Sequence, residues 1–119
     1  LIIPLDITYY DVGTFALYST KNIPGIATVP PSTETPIIDY LIPSTFDISD
    51  IFCIGDADGE FKIYKNGGVI AEGRTSSSNR VFHHPFSRPY RFLSGDILKI
   101  TVKHYESGVE DFKAYAFAA

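Results

Sequence analysis

The chain is 119 residues long, 45% hydrophobic and 14% aromatic, with a formal net charge of −4. That length suits one domain able to remove roughly two-thirds of its unfolded surface from water without covalent staples. The lone cysteine, Cys53, excludes an internal disulfide framework, and the acidic balance argues against nucleic acid as the main partner. No run approaches the roughly 18 apolar residues of a membrane helix, so no membrane partner is expected.

Residues 1–5 read as an apolar arm, carried by Leu1, Ile2, Ile3 and Leu5, with no partner in its own neighbourhood. An opening L-I-I-P without methionine reads as a processed product or the ordered part of something longer; no basic stretch precedes it to make a signal peptide. Residues 5–18 read as strand, with a break at Gly13. From Ser19 to Pro36 the sequence predicts a long Pro-rich loop, because Pro24, Pro30, Pro31 and Pro36 each remove a backbone donor. A loop of that length in a small domain is usually functional or interfacial.

Residues 37–42, 50–55, 60–66 and 69–75 then read as successive strands. R-V-F-H-H-P-F and S-R-P-Y-R-F-L are extended, each interrupted by a proline, Pro85 and Pro89. Ile97–Tyr105 alternates cleanly, with Leu98, Ile100 and Val102 on one face and Lys99, Thr101 and Lys103 on the other. F-K-A-Y-A-F-A closes the chain. Short strands separated by turn signals, with no helical period, predict a single all-β domain over 1–119. It is expected to be an antiparallel β-sandwich or jelly roll with an extended N-terminal arm.

The stretch from Gly55 to Gly68, G-D-A-D-G-E-F-K-I-Y-K-N-G-G, raises the question of calcium. Neither register of an EF-hand loop fits: placing Gly59 at the obligatory glycine leaves Ile54 first and Lys65 last. The hairpin reading fits better, since Asp58-Gly59 and Asn66-Gly67 both accept positive φ. A three-residue loop at Asn66-Gly67-Gly68 would set Lys62 against Glu72, and a two-residue loop would shift that pairing. Both remain open on sequence alone.

Other constellations carry little chemistry. His83 and His84 point to opposite faces of a strand and cannot chelate one ion. Cys53, inside I-F-C-I, reads as a small buried hydrophobe. No nucleophile elbow, phosphate-cradling loop or zinc spacing is present, so neither an enzyme nor a cofactor or metal is expected. The most unusual span is 74–91, which holds Arg74, Arg80, Arg88 and Arg91 among Phe82, Phe86 and Tyr90, with no acid. Arginine beside aromatics marks interfaces. The bland alternative is that the aromatics are core and the arginines pair with acids elsewhere.

The order G-E-F-K-I-Y-K-N-G-G-V-I-A-E-G-R-T-S, then L-S-G-D-I-L-K-I-T-V-K-H-Y, then E-D-F-K-A-Y resembles small β-sandwich modules of tailed-bacteriophage virion proteins. These include capsid decoration (cement) proteins, head-fibre bases and tail accessory proteins. The resemblance covers the C-terminal half and implies a non-catalytic structural role in the virion. It also implies binding to the major capsid protein or another virion protein, often as a homo-trimer. The contact surface expected from the residues is Leu1, Ile2, Ile3 and Leu5, the segment Ile26, Val29, Pro30 and Pro31, and Arg80, Phe86, Arg88, Tyr90 and Arg91. The rival reading is a carbohydrate-binding module or fibre-tip receptor-binding domain, with surface Tyr or Phe stacking on sugar beside Arg88 or Arg91.

Overall fold

The computed structural model describes residues 22–119; the apolar arm and the strand read over 5–18 lie outside the described residues. The described chain is all-β, with eight strands in two antiparallel four-stranded sheets packed as a sandwich. The strands are β1 (Asn22–Val29), β2 (Thr35–Leu41), β3 (Phe46–Gly55), β4 (Gly59–Lys65), β5 (Gly68–Thr75), β6 (Val81–Phe92), β7 (Ile97–His104) and β8 (Glu110–Ala118). The first sheet runs β1-β8-β3-β6 and the second β2-β7-β4-β5.

The pairing has a simple logic. β4 pairs with β5, β3 with β6, β2 with β7 and β1 with β8. The described chain is thus one long antiparallel ribbon, folded back at Asn66-Gly67 and rolled so that its successive rungs alternate between sheets. Among the described strands, only the β4–β5 connection is a hairpin within one sheet.

That hairpin answers the register question in an unexpected way. Lys65 pairs with Gly68, so the turn has two residues, Asn66 at φ 51° and Gly67 at φ 86°. Both central residues at positive φ make the hairpin turn whose twist matches the strands. A bulge between Ile63/Ala71 and Tyr64/Val69 then restores Lys62 opposite Glu72. The two-residue turn and the pairing expected of a three-residue loop therefore coexist.

Asp58-Gly59 is a different case and corrects the sequence reading. It belongs to the arch carrying the chain from β3 in one sheet to β4 in the other, and Gly59 is not at positive φ. Its requirement is space: a methyl group there would lie 2.7 Å from Phe112 Cε1 and 2.9 Å from Val102 Cγ2.

The Pro-rich loop over 19–36 is also corrected. Asn22–Val29 is a strand, β2 begins at Thr35, and only residues 30–34 separate them. Proline is tolerated because both strands are sheet edges among the described residues, where an absent N–H breaks no ladder. Pro24 lies in β1, Pro36 in β2 beside a bulge, and Pro85 and Pro89 in β6, another edge. None of the central strands β8, β3, β7 and β4 contains proline. β6 runs from Val81 to Phe92 as one strand, but its ladder to β3 skips residues 86–89, between Pro85 opposite Asp50 and Tyr90 opposite Ile48, so the interruption expected at the two prolines is a bulge within the strand.

The core fills the space between the sheets. Ile48, Ile51 and Cys53 of β3 and Phe112, Ala114 and Ala116 of β8 face Ile38, Phe61, Ile63, Leu98, Ile100 and Val102 of the second sheet. Burying each large aliphatic side chain contributes roughly 1.5–3 kcal/mol. His104 is fully buried beside this core: its Nε2–H donates to the Val29 carbonyl at 2.7 Å, and its Nδ1 accepts the Glu106 N–H at 3.1 Å. This fixes the imidazole tautomer and ties the start of the β1–β2 loop to the end of β7. Ser32 N–H adds a bond to the His104 carbonyl at 2.7 Å.

Candidate functional site

The segment Arg74–Arg91 resolves into two faces. Phe82, Phe86 and Tyr90 point inward and pack half-buried against the core, and Phe92 is fully buried. Their rings form a continuous series, with Phe86–Tyr90 centroids 5.2 Å apart and Tyr90–Phe92 5.7 Å apart. Lys65 crosses the inner end of this series, its Nζ 5.2 Å from the Tyr90 ring centre.

Three of the four arginines approach nearby acids. Arg91 forms a bidentate contact with Asp47, Nε–Oδ1 2.8 Å and Nη2–Oδ2 3.0 Å, which holds the Asp47 carboxyl below its ordinary value. Arg74 faces Glu60 at 3.7 Å. Arg80 donates to the Asp56 carbonyl and approaches its carboxylate at 4.0 Å. Arg88 is exposed and has no such acid among the described residues. The alternation of β6 turns Phe86 and Tyr90 inward, and both keep part of their surface exposed. Val29 is fully buried, while Ile26, Pro30 and Arg88 are exposed and Pro31 is half-buried. Leu1, Ile2, Ile3 and Leu5 lie outside the described residues.

On the other side of β6, His83 stacks flat on Phe52 at 4.2 Å and contacts Asp50 Oδ1 at 2.7 Å. His84 faces inward between Phe82 and Phe86. The two histidines therefore part to opposite faces, as the strand period requires. Among the described residues no group of three His, Cys, Asp or Glu side chains converges in a way that could hold a metal ion.

Two features stand out on the surface. The first is at the end of the sandwich that carries the Asn66-Gly67 turn. Leu41 and Ile97 are cross-strand partners there, Val69 lies at the start of β5 just after the turn, and Leu93 lies in the β6–β7 connection. All are well exposed, at 63%, 41%, 54% and 47%. Their loops are firmly tied: Asn66 Nδ2 donates to Asp96 Oδ1 at 2.9 Å, and Ile97 N–H donates to Asn66 Oδ1 at 2.8 Å. Asp96 Oδ2 also accepts the Leu93 N–H at 2.7 Å. Asn66, then the Leu93 N–H, hold the Asp96 carboxyl below its ordinary value.

The second is a shallow pocket of about 290 Å³ on the outer face of the second sheet, lined by Glu34, Pro36, Tyr64, Gly67, Lys99 and Thr101. Glu34 Oε2 accepts the Thr101 hydroxyl at 2.6 Å and also the Tyr64 hydroxyl. These bonds, the Thr101 bond foremost, hold Glu34 below the ordinary carboxylate value, and Lys62 and Lys99 act in the same direction. The bond to Glu34 correspondingly raises the Tyr64 phenol. Lys99 Nζ sits 5.9 Å over the Tyr64 ring.

Sequence reasoning did not single out Glu34, Tyr64, Lys99 or Thr101 as a site. Tyr64 and Lys99 do lie on the polar phase of alternating strands, where a ring on an outward position is a usable signal. Glu34 gave none, since it meets Thr101 only across 67 positions of chain.

No family model matches the chain, and no curated protein matches it. Among solved structures it is similar to the insecticidal delta-endotoxin Cry8Ea1 from Bacillus thuringiensis, at 14% identity with a TM-score of 0.48. That match covers 77% of this chain and 19% of the toxin chain, so the described protein spans about a fifth of the toxin's length.

Proposed function

We propose that the chain is a non-catalytic structural module of a tailed-phage particle, a decoration or cement protein that binds the major capsid protein or another virion protein. Its rolled ribbon is read as a jelly roll, and its assembly as a homo-oligomer, with a trimer favoured. The supporting observation is the apolar end formed by Leu41, Val69, Leu93 and Ile97. Leu41, Val69 and Ile97 sit at strand ends and Leu93 in the β6–β7 connection, at the end braced by Asn66 and Asp96, and exposed apolar side chains gathered at one end suit protein contact. A pre-ordered surface loses little conformational entropy on association.

The polar side chains bond locally. Asp96 and Asn66 bond to loops, Asp47 to Arg91, and Glu34 to Thr101 and Tyr64. The sequence order that resembles virion modules runs from β4 to β8 and includes the hairpin and the L-S-G-D turn that build this end.

Mass spectrometry of particles purified from the source culture tests the reading. The expected result is the chain's peptides at a fixed stoichiometry to the major capsid protein, together with a solution mass by light scattering above that of one chain. Absence from purified particles would overturn it.

A further inference from the structure

The outer-face pocket supplies a second kind of surface, polar where the sandwich end beside it is apolar. Glu34 directs Oε2 to the Thr101 and Tyr64 hydroxyls, while Oε1 accepts no bond from the described residues. Its carboxylate is therefore fixed in place with one acceptor oxygen to spare. Thr101, which is 2% exposed, forms the floor. Gly67 forms the lip, and no atom lies within 4 Å of the position a side chain would take there, so the mouth is open.

Charge and size narrow the ligand. Lys62 and Lys99 both act on Glu34, and Lys99 stands opposite Asp39 in the ladder while Lys62 stands opposite Glu72. With Glu34 these groups sum to one net negative charge, so an anion is disfavoured. No cluster of three ligating side chains among the described residues converges there for a hard cation either. What remains is one acceptor, one ammonium donor, and the rings of Tyr64 and Pro36. A volume of about 290 Å³ lies at the foot of the usual range for small-molecule sites, roughly 300–1,000 Å³. It suits a single small ring.

We propose that this pocket binds one neutral pyranose unit of a glycan, hydroxyls to Glu34 and Lys99, with the sugar's carbon edge against Tyr64 and Pro36. A pyranose offers adjacent hydroxyls that both donate and accept, and an apolar edge, which is the pattern the pocket complements. A site this open predicts weak binding per unit, with a Kd of about 1–10 mM, so that useful affinity needs several copies of the module on one surface.

The test is titration of the ¹⁵N-labelled protein with D-glucose, D-galactose, D-mannose and N-acetyl-D-glucosamine, followed by amide shifts. At least one sugar is expected to give saturable shifts at Gly67, Lys99 and Thr101. Lys99→Ala and Glu34→Ala should weaken that binding about tenfold or more, whereas Lys113→Ala, exposed on β8 of the other sheet, should leave it unchanged. Lys99 is a surface side chain, so its replacement carries the test even where Glu34→Ala impairs folding. Saturable shifts with none of the sugars, shifts confined to other residues, or wild-type binding by Lys99→Ala would each overturn the proposal. None of these outcomes bears on the particle's peptide content, so this inference and the structural role fail separately.

Discussion

Gly55 and Phe112 occupy one space as cross-strand partners: a methyl group on Gly55 would lie 2.3 Å from Cε1 of Phe112. Gly59 closes on the same fully buried ring from the next strand. The chain crosses between sheets over this ring, so the two glycines set how tightly the arch of residues 56–58 wraps. Gly55→Ala is expected to destabilise the fold by about 1–3 kcal/mol through overpacking, read from urea unfolding. Phe112→Leu in the same chain should recover part of that loss, as residues in contact are non-additive. Strict additivity of the two changes would show that the ring and the glycine do not compete for space.

The Asn66-Gly67 turn gives a backbone prediction rather than a packing one. Gly67 sits at φ 86° in open space, so a side chain there meets no neighbour but strains the chain. Gly67→Val should cost roughly 1–2 kcal/mol, the cost of forcing a left-handed conformation on a branched residue. Gly68→Ala, next along and at ordinary φ, should cost far less. Equal losses of thermal midpoint in the two variants would contradict the assigned turn.

Much of this was legible in the sequence, and the exceptions have one cause. Alternation located β4, β5, β7 and β8 to within a few residues, and N-G marked the hairpin, because period and turn chemistry are local. Proline misled over 22–29, since whether a missing N–H matters depends on a strand being an edge, which only the finished sheet decides. That Phe86 and Tyr90 pack half-buried against the core was not legible, because sequence shows composition, not which way β6 turns. Glu34 was invisible for a stronger reason: its partners Tyr64 and Thr101 are brought to it by the roll, on strands 30 and 67 positions away.

Acid should weaken the fold through the carboxyls that the native state holds ionised. Glu34, Asp47 and Asp96 are each lowered from ordinary values of 4.5, 3.8 and 3.8. The folded state then binds fewer protons than the unfolded chain as pH drops through this range. The stability these groups contribute is present above the ordinary values and is lost as pH falls through the lowered ones. The urea midpoint should therefore decline from about pH 5 downwards. Asp96→Asn and Glu34→Gln should each flatten that decline while lowering the midpoint at neutral pH. A midpoint independent of pH between about 5 and 2 would remove these bonds from the stability of the fold.

Cys53 offers a probe of the whole roll. It is fully buried in β3, between strands β6 and β8, and burial pushes its thiol well above the ordinary range. A thiol that is neither ionised nor exposed reacts only when the structure opens. Since β3 is a central strand, opening there means separating its sheet, and labelling by a thiol reagent should track global unfolding. For a domain of ordinary stability, that suppresses the rate by a factor of roughly 10³ or more. The rate should rise with urea along the slope found from equilibrium unfolding, and Gly55→Ala should raise it in proportion to its loss of stability. Labelling of the native protein as fast as that of the unfolded chain would mean that β3 is not held between β6 and β8.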